Sequence, residues 1–244
     1  MSESLTSLLD KGVVICDGAM GTLLQASGKL SAGGVPEELN VSCPDVVAAA
    51  HRAYVAAGSD IITTNSFGGN RIRLAKSGLG ERVIELNLAA ARIARSAAGP
   101  NTLVAGSMGP MGEMVAPWGP IAYADARSVF AEQAQALADG GVDFFIIETM
   151  FDLEEMRAAI EGARSVAPLR IIATMTFDQG GRTMMGIRPD TAANALLGMD
   201  ADIIGTNCGR GPAETEVALR AMIAACPDAI FIAQPNAGVP RMVE

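Results

Sequence analysis

The sequence predicts an α/β protein of the (β/α)8 TIM-barrel class, and three observations carry that expectation. First, a short β-rich apolar run followed by an Ala/Leu-rich stretch recurs along the 244 residues. Such runs read as strands buried on both faces, and their alternation with helices implies a parallel sheet. Second, each run ends near a polar residue: Asp17, Asn65, Ser107, Glu148, Asp178, Cys208 and Asn236. A barrel gathers such ends at one mouth, where barrel active sites lie, whereas an open sheet spreads them along an edge. Third, the sequence has no GxGxxG and no GxxxxGK[ST], which lowers the weight of the nucleotide-binding open sheets.

The strand candidates are "VVICDGAMG" from Val13, "DIITTNSFGG" from Asp60, "LVAGSMGP" from Leu103 and "FFIIETM" from Phe144. "RIIATMTFD" from Arg170, "DIIGTNCG" from Asp202 and "IFIAQPNAG" from Ile230 bring the count to seven. Between them lie "PDVVAAAHRAYVAAG", "ERVIELNLAAARIARSAAG", "YADARSVFAEQAQALADGG" and "DLEEMRAAIEGARSV", several of which close on Gly as helices do. The opening "MSESLTSLLDKG" reads as a short amphipathic helix. It lacks the layout of a signal peptide, so the expectation is a cytoplasmic protein. A barrel needs an eighth strand. The expectation is one domain over residues 1–244 whose eighth strand is missing at the C-terminus.

A formal net charge of −9 with no Lys/Arg block argues against nucleic-acid and anionic-membrane partners, and no apolar run is long enough to span a bilayer. The four cysteines, Cys16, Cys43, Cys208 and Cys226, form no CxxC, which fits free thiols in a reduced compartment.

Cys208, at a strand end in "IIGTNCGRGPAE", reads either as a small buried hydrophobe or as a thiolate at the mouth, nucleophile or metal ligand. The other cysteines are poorly placed to help it: Cys226 precedes the seventh strand, Cys43 starts a helix, and Cys16 alternates in direction with Asp17. One cysteine makes no metal site alone. His51, the single histidine, lies mid-helix, which removes Ser–His and Cys–His chemistry; "AGSMG" around Ser107 is therefore not a nucleophile elbow. Asp17 and Glu148 follow apolar runs, where a carboxylate is costly unless paired. They read either as structural ion pairs or as the receptor for an ammonium group, which would suit an amino-acid ligand. The "DGAMG" loop adds backbone N–H groups as a carboxylate cradle. Asn236, in the turn "PNAG", offers an amide oxygen. Met108, Met111, Met114, Met175, Met184 and Met185 read as packing.

Together, "DGAMGTLLQ", "ITTNSFGGNRIRL", "GSMGPMGEM", "TMTFDQGGRTMMG", "GTNCGRGP" and "QPNAG" resemble the homocysteine S-methyltransferase family, in its order and over Asp17 to about Arg241. That resemblance implies a zinc-dependent barrel that methylates the thiolate of homocysteine to give methionine. It implies Cys208 as one of three cysteine ligands to zinc, and Asn236 as a weak oxygen ligand when substrate is absent. Asp17, Gly18, Ala19 and Met20 match the homocysteine-holding loop, and Glu148 the acid that meets the amine. The adjacent cysteine pair that completes the family's zinc site has no counterpart in the sequence. The implied methyl donor is a corrinoid protein or domain carrying methylcobalamin, in a methionine-synthase-type module, or a small molecule such as betaine or S-methylmethionine. Trp118 is the single Trp, so a multi-Trp cage for a quaternary ammonium is not available. Two further readings stay open: a methyltransferase of this fold with another acceptor, and a metal-free barrel without catalysis.

Overall fold

A computed structural model describes residues 5–10, 12–31, 33–178 and 180–238. Six strands form one sheet: β1 (Ile61–Thr63), β2 (Leu103–Met108), β3 (Phe144–Met150), β4 (Ile171–Met175), β5 (Ile203–Cys208) and β6 (Phe231–Pro235). Every neighbouring pair is parallel and the spatial order is the chain order. An open doubly wound sheet reverses its strand order at a switch point; this one never does, so the sheet curls as part of a barrel.

The helices are α1 (Leu5–Leu9), α2 (Met20–Ala26), α3 (Leu39–Ser42), α4 (Pro44–Ala56), α5 (Arg71–Ala75), α6 (Val83–Ala97), α7 (Tyr123–Asp139), α8 (Leu153–Val166), α9 (Pro189–Gly198) and α10 (Pro212–Ala225). Pro opens α4, α9 and α10, where its missing N–H costs nothing. Asp152 caps α8 by accepting from the Glu154 N–H, and Asn70 caps α5 by accepting from the Arg73 N–H.

Strand alternation makes two cores. Ile62, Val104, Phe145, Ile147, Ile171, Ala173 and Ile204 face the helices and meet Phe130, Leu137, Met156, Ile160 and Leu196. Ile61, Leu103, Ala105, Phe144, Ile146, Ile172 and Ile203 face inward, where Leu5 and Leu8 of α1 pack among them. The short N-terminal helix thus buries its apolar face against the sheet's interior.

Two expectations change. The run from Val13 forms one parallel bridge, Cys16 to Ile61, and not a strand, so the described residues hold six strands where seven were expected. Its pairing begins with the Ile15 N–H on the Asp60 carboxylate and ends with the Asp17 N–H on the Ile61 carbonyl, after which "GAMG" turns into α2. Met184 is 77 % exposed, so it is not a packing residue, although Met108, Met111 and Met175 are buried.

Candidate active site at the strand ends

Above the inner apolar layer, the same inward positions turn polar. Thr63, Ser107, Glu148, Thr174 and Asn207 continue the period-2 series that Ile61, Ala105, Ile146, Ile172 and Ile203 begin. Thr63, Ser107, Glu148 and Asn207 line one large cavity of about 1610 Å3 together with Asp17, Gly18, Ala19, Met20, Asn65, Cys208 and Asn236, whereas Thr174 is fully buried and does not line it. Six of the seven polar strand-end residues therefore meet. Asp178 does not: β4 stops at Met175, the chain turns with the Asp178 N–H on the Arg182 carbonyl, and Asp178 lines a separate depression beside Arg210. The residue β4 sends inward is Thr174.

Asp17 is buried and takes two hydrogen bonds from Thr63, N–H to Oδ2 at 2.8 Å and Oγ1 to Oδ1 at 3.0 Å. Burial nonetheless pushes its carboxyl up to about 7, with the Glu148 charge adding to the rise. Glu148 accepts from Ser107 Oγ at 2.6 Å and from Asn207 Nδ2 at 3.1 Å. Burial raises its carboxyl as well. No Lys, Arg or His pairs with either acid among the described residues, so the ion-pair reading of these acids is set aside. Two such carboxyls in one cavity lack a counter-cation, and that is the property of a cation receptor.

Asn207 is the hub. Its Oδ1 accepts from the Thr149 N–H at 2.8 Å and from Thr174 Oγ1 at 2.9 Å, and its Nδ2 donates to Thr149 Oγ1 at 2.7 Å and to Glu148. These bonds tie β3, β4 and β5 together at the mouth. Thr149 and Cys208 both sit in the left-handed region, at φ 62 and 57. A β-branched residue there is strained, and such strain collects where a side chain must be re-aimed. Cys208 is so turned that Thr149 Oγ1 lies 3.6 Å from its sulfur. Burial raises the Cys208 thiol, the Thr149 contact lowers it, and the Glu148 charge raises it again, so the free thiol is protonated at neutral pH.

The "DGAMG" loop is clamped from above. Tyr54 Oη donates to the Ala19 carbonyl at 3.1 Å, and a Cβ on Gly18 would stand 2.9 Å from Tyr54 Oη and displace that ring. Tyr54, Thr63, Thr149, Thr174 and Asn207 were not picked out as site residues from the sequence. The period-2 series marks Thr63, Thr174 and Asn207; nothing local marks Tyr54, which arrives from α4.

Cys226 and Cys43 lie away from Cys208, whereas Cys16 lines the same cavity as Asp17, against the expectation that the two point to opposite faces. Cys226 is buried in the helix–sheet layer, Cys43 caps α4, and Cys16 packs with the inner apolar cluster, its thiol pushed up to about 12 by burial and neighbouring acids. His51 is fully buried without a hydrogen-bond partner among the described residues, and burial holds it down to about 4, so it is neutral.

The donor set for a metal is thin. Among the described residues no three His, Cys, Asp or Glu side chains stand close enough to hold an ion. Asn236 donates its amide to the Gly209 carbonyl at 2.9 Å, its N–H reaches the Cys208 carbonyl at 3.3 Å, and its Oδ1 has no donor among the described residues. Cys208 and that oxygen are one strong ligand and one weak one, short of a zinc site.

A parallel barrel sheet with unpaired acids and one re-aimed cysteine at its strand ends defines an α/β barrel with a cation-receptive cavity at its mouth. A family model described as homocysteine S-methyltransferase matches residues 14–244, and the chain belongs to that family. Methionine synthase of Mycobacterium tuberculosis is 34% identical over 254 residues, which cover 97% of this chain and 21% of that protein. Methionine synthase of Mycobacterium leprae is 33% identical, with coverages of 97% and 21%. The chain thus spans about a fifth of the length of the curated relatives it matches. The structure of the homocysteine methyltransferase MmuM from Escherichia coli in its metallated form superposes with a TM-score of 0.84 at 24% identity, over 96% of this chain and 87% of that one. Its oxidized form gives 0.84 at 25% identity, over 96% and 86%.

Proposed function

We propose that this chain binds homocysteine at the barrel mouth and presents its sulfur for methylation to methionine. The observation that carries the reading is the pair of buried, cation-free carboxyls, Asp17 and Glu148, lining one cavity with Cys208. An arriving α-ammonium supplies their missing counter-charge, and backbone N–H groups of Gly18, Ala19 and Met20 take the α-carboxylate. Binding then drives Asp17, which is partly protonated at neutral pH, to its ionised form and releases a proton to solvent. Tyr54 fixes the loop, while Ser107 and Asn207 fix Glu148. Alignment of sulfur, methyl and leaving group is the protein's main contribution to such a transfer.

Zinc enters this reading through Cys208, with Asn236 as a weak oxygen donor. The described residues do not complete that site, so a zinc-bearing form draws its other ligands from elsewhere. The donor in this reading is a methyl-corrinoid carried by another domain or protein, as in a methionine-synthase-type module, in preference to betaine or S-methylmethionine. Support comes from the aromatics: Trp118 is 71 % exposed, Tyr123 packs on the helix layer, and neither lines the cavity. Among the described residues, Phe67 and Phe231 are the aromatic residues that line it, and Phe67 already carries Arg73. Free thiols at all four cysteines suit a reducing, cytoplasmic setting. No helix among the described residues is long and apolar enough to cross a membrane.

The test is methionine formation from homocysteine and methylcobalamin by the full chain, with and without added zinc, against the Glu148→Gln and Cys208→Ala variants. The reading requires wild-type turnover and loss in both variants. Wild-type protein that binds homocysteine no better than norvaline would end it.

A further inference from the structure

One side of the cavity differs chemically from the acid-lined interior. Arg73, on α5, lines it beside Phe67, Gly68, Lys76 and Gly112. Its guanidinium lies over the Phe67 ring, 5.2 Å from the centroid, and its side chain is exposed. Lys76 is neutralised by Glu113 at 2.7 Å. Arg73 makes no ion pair with any described residue. The acids near it, Glu37 and Glu155, are buried and already committed to backbone: Glu37 accepts the Gly68 N–H at 2.5 Å and Glu155 the Met111 N–H at 2.7 Å. Burial pushes Glu155 up to about 7, so it offers Arg73 less than a full counter-charge. The Arg73 charge lowers Glu37 and Glu155 against the rise that burial causes. The cavity is therefore bipolar: acids without a cation inside, and a cation without a free acid on an aromatic shelf at its side.

We propose that Arg73, seated over Phe67, is an anion subsite for the methyl donor, taking a carboxylate or phosphate of the donor while homocysteine occupies the acids. A guanidinium so seated has its fork of N–H donors available for bidentate pairing with either group. The inference rests on the methyltransferase reading, and it makes Arg73 a specificity residue for the second substrate alone.

The experiment is calorimetric titration of the homocysteine-loaded full chain with two matched pairs of probes. Betaine and choline differ by a carboxylate; methylcobalamin carries a nucleotide loop with a phosphodiester that methylcobinamide lacks, and competition by inorganic phosphate separates the phosphate from the rest of that loop. The proposal expects one anionic member to bind at least tenfold tighter than its partner. Arg73→Gln should erase that difference, and Arg73→Lys should restore part of it. Homocysteine affinity should be the same in all three proteins. Betaine selectivity identifies a carboxylate donor and methylcobalamin selectivity a phosphate-bearing one. The proposal is overturned by unchanged selectivity in Arg73→Gln, by no discrimination within either pair, or by no probe binding at all. Loss of homocysteine binding in the wild type would instead overturn the methyltransferase reading on which it rests.

Discussion

Replacing Asn207 with Leu keeps the volume of the hub and removes its chemistry. The Thr149 N–H and the Thr174 hydroxyl lose their acceptor, and Glu148 loses one of its two donors. Each buried polar group left without a partner costs about 1–3 kcal/mol. Thr174 is fully buried, so water does not replace its bond, whereas Glu148 and Thr149 line the cavity and recover part of theirs. Thr149 Oγ1 retains its contact to the Cys208 sulfur, which offsets one loss. The sum is about 3–5 kcal/mol, within the range that marks a broken buried network. The left-handed turn at Thr149 is also released, and the Cys208 side chain loses its aim. Urea unfolding should show a lower midpoint at constant slope, and calorimetry should show homocysteine binding at least tenfold weaker. A loss under about 1 kcal/mol with unchanged binding would refute the assignment of Asn207 as the hub.

Three further outcomes follow from the same geometry. Asp17→Asn and Glu148→Gln each remove a buried carboxyl without a cation, so at pH 7.5 both should raise the melting temperature of the ligand-free protein while weakening homocysteine at least tenfold; a variant that lost both stability and binding would contradict the unpaired-acid account. Acid should stabilise the ligand-free protein between pH 8 and about 5.5. Asp17 and Glu155 sit at about 7 in the fold against 3.8 and 4.5 otherwise, so the stability their protonation gives is complete below the lower values and lost as pH rises through 7. His51, lowered from 6.5 to about 4, works the other way as pH falls below 6.5, one group against two; thermal melts that peak above pH 7.5 would show the wrong sign. Gly205→Ala puts a Cβ 1.9 Å from the Ile232 carbonyl oxygen, so β5 and β6 must part; the expected cost is about 3 kcal/mol or more, and a soluble variant melting within a few degrees of wild type would refute that close approach.

Much of this was legible in the sequence, and the failures have physical causes. Continuous apolar runs located the six strands because both faces of each are buried. The run from Val13 looks the same in sequence, but Val13 is 91 % exposed and Ile15 53 %, and among the described residues it pairs at one position only. Taking the last polar residue of each run as the one at the mouth succeeded for Ser107 and Glu148, which fall on the inward parity. It failed for Asp178, three residues past the end of β4, and it passed over Asn207 in favour of Cys208. Counting by twos from Ile203 reaches Gly205 and then Asn207, so the hub was readable from strand period alone. Cys208 reaches the cavity through a left-handed turn at a non-glycine residue, which no local pattern announces. Tyr54, Glu155 and Arg73 come from helices packed over the strand ends, and only the tertiary fold brings them to the mouth or its loops.

The central claim is that Asp17 and Glu148 await an ammonium group beside a thiol. The most direct measurement compares homocysteine with 4-mercaptobutanoate, which lacks only the amine, by calorimetry on the full chain at pH 7.5. Leaving both acids without a cation should cost the analogue about 1.4–3 kcal/mol, a tenfold to hundredfold weaker Kd. Homocysteine binding should also release protons, seen as a buffer-dependent heat. Equal affinities with no proton release would contradict the account.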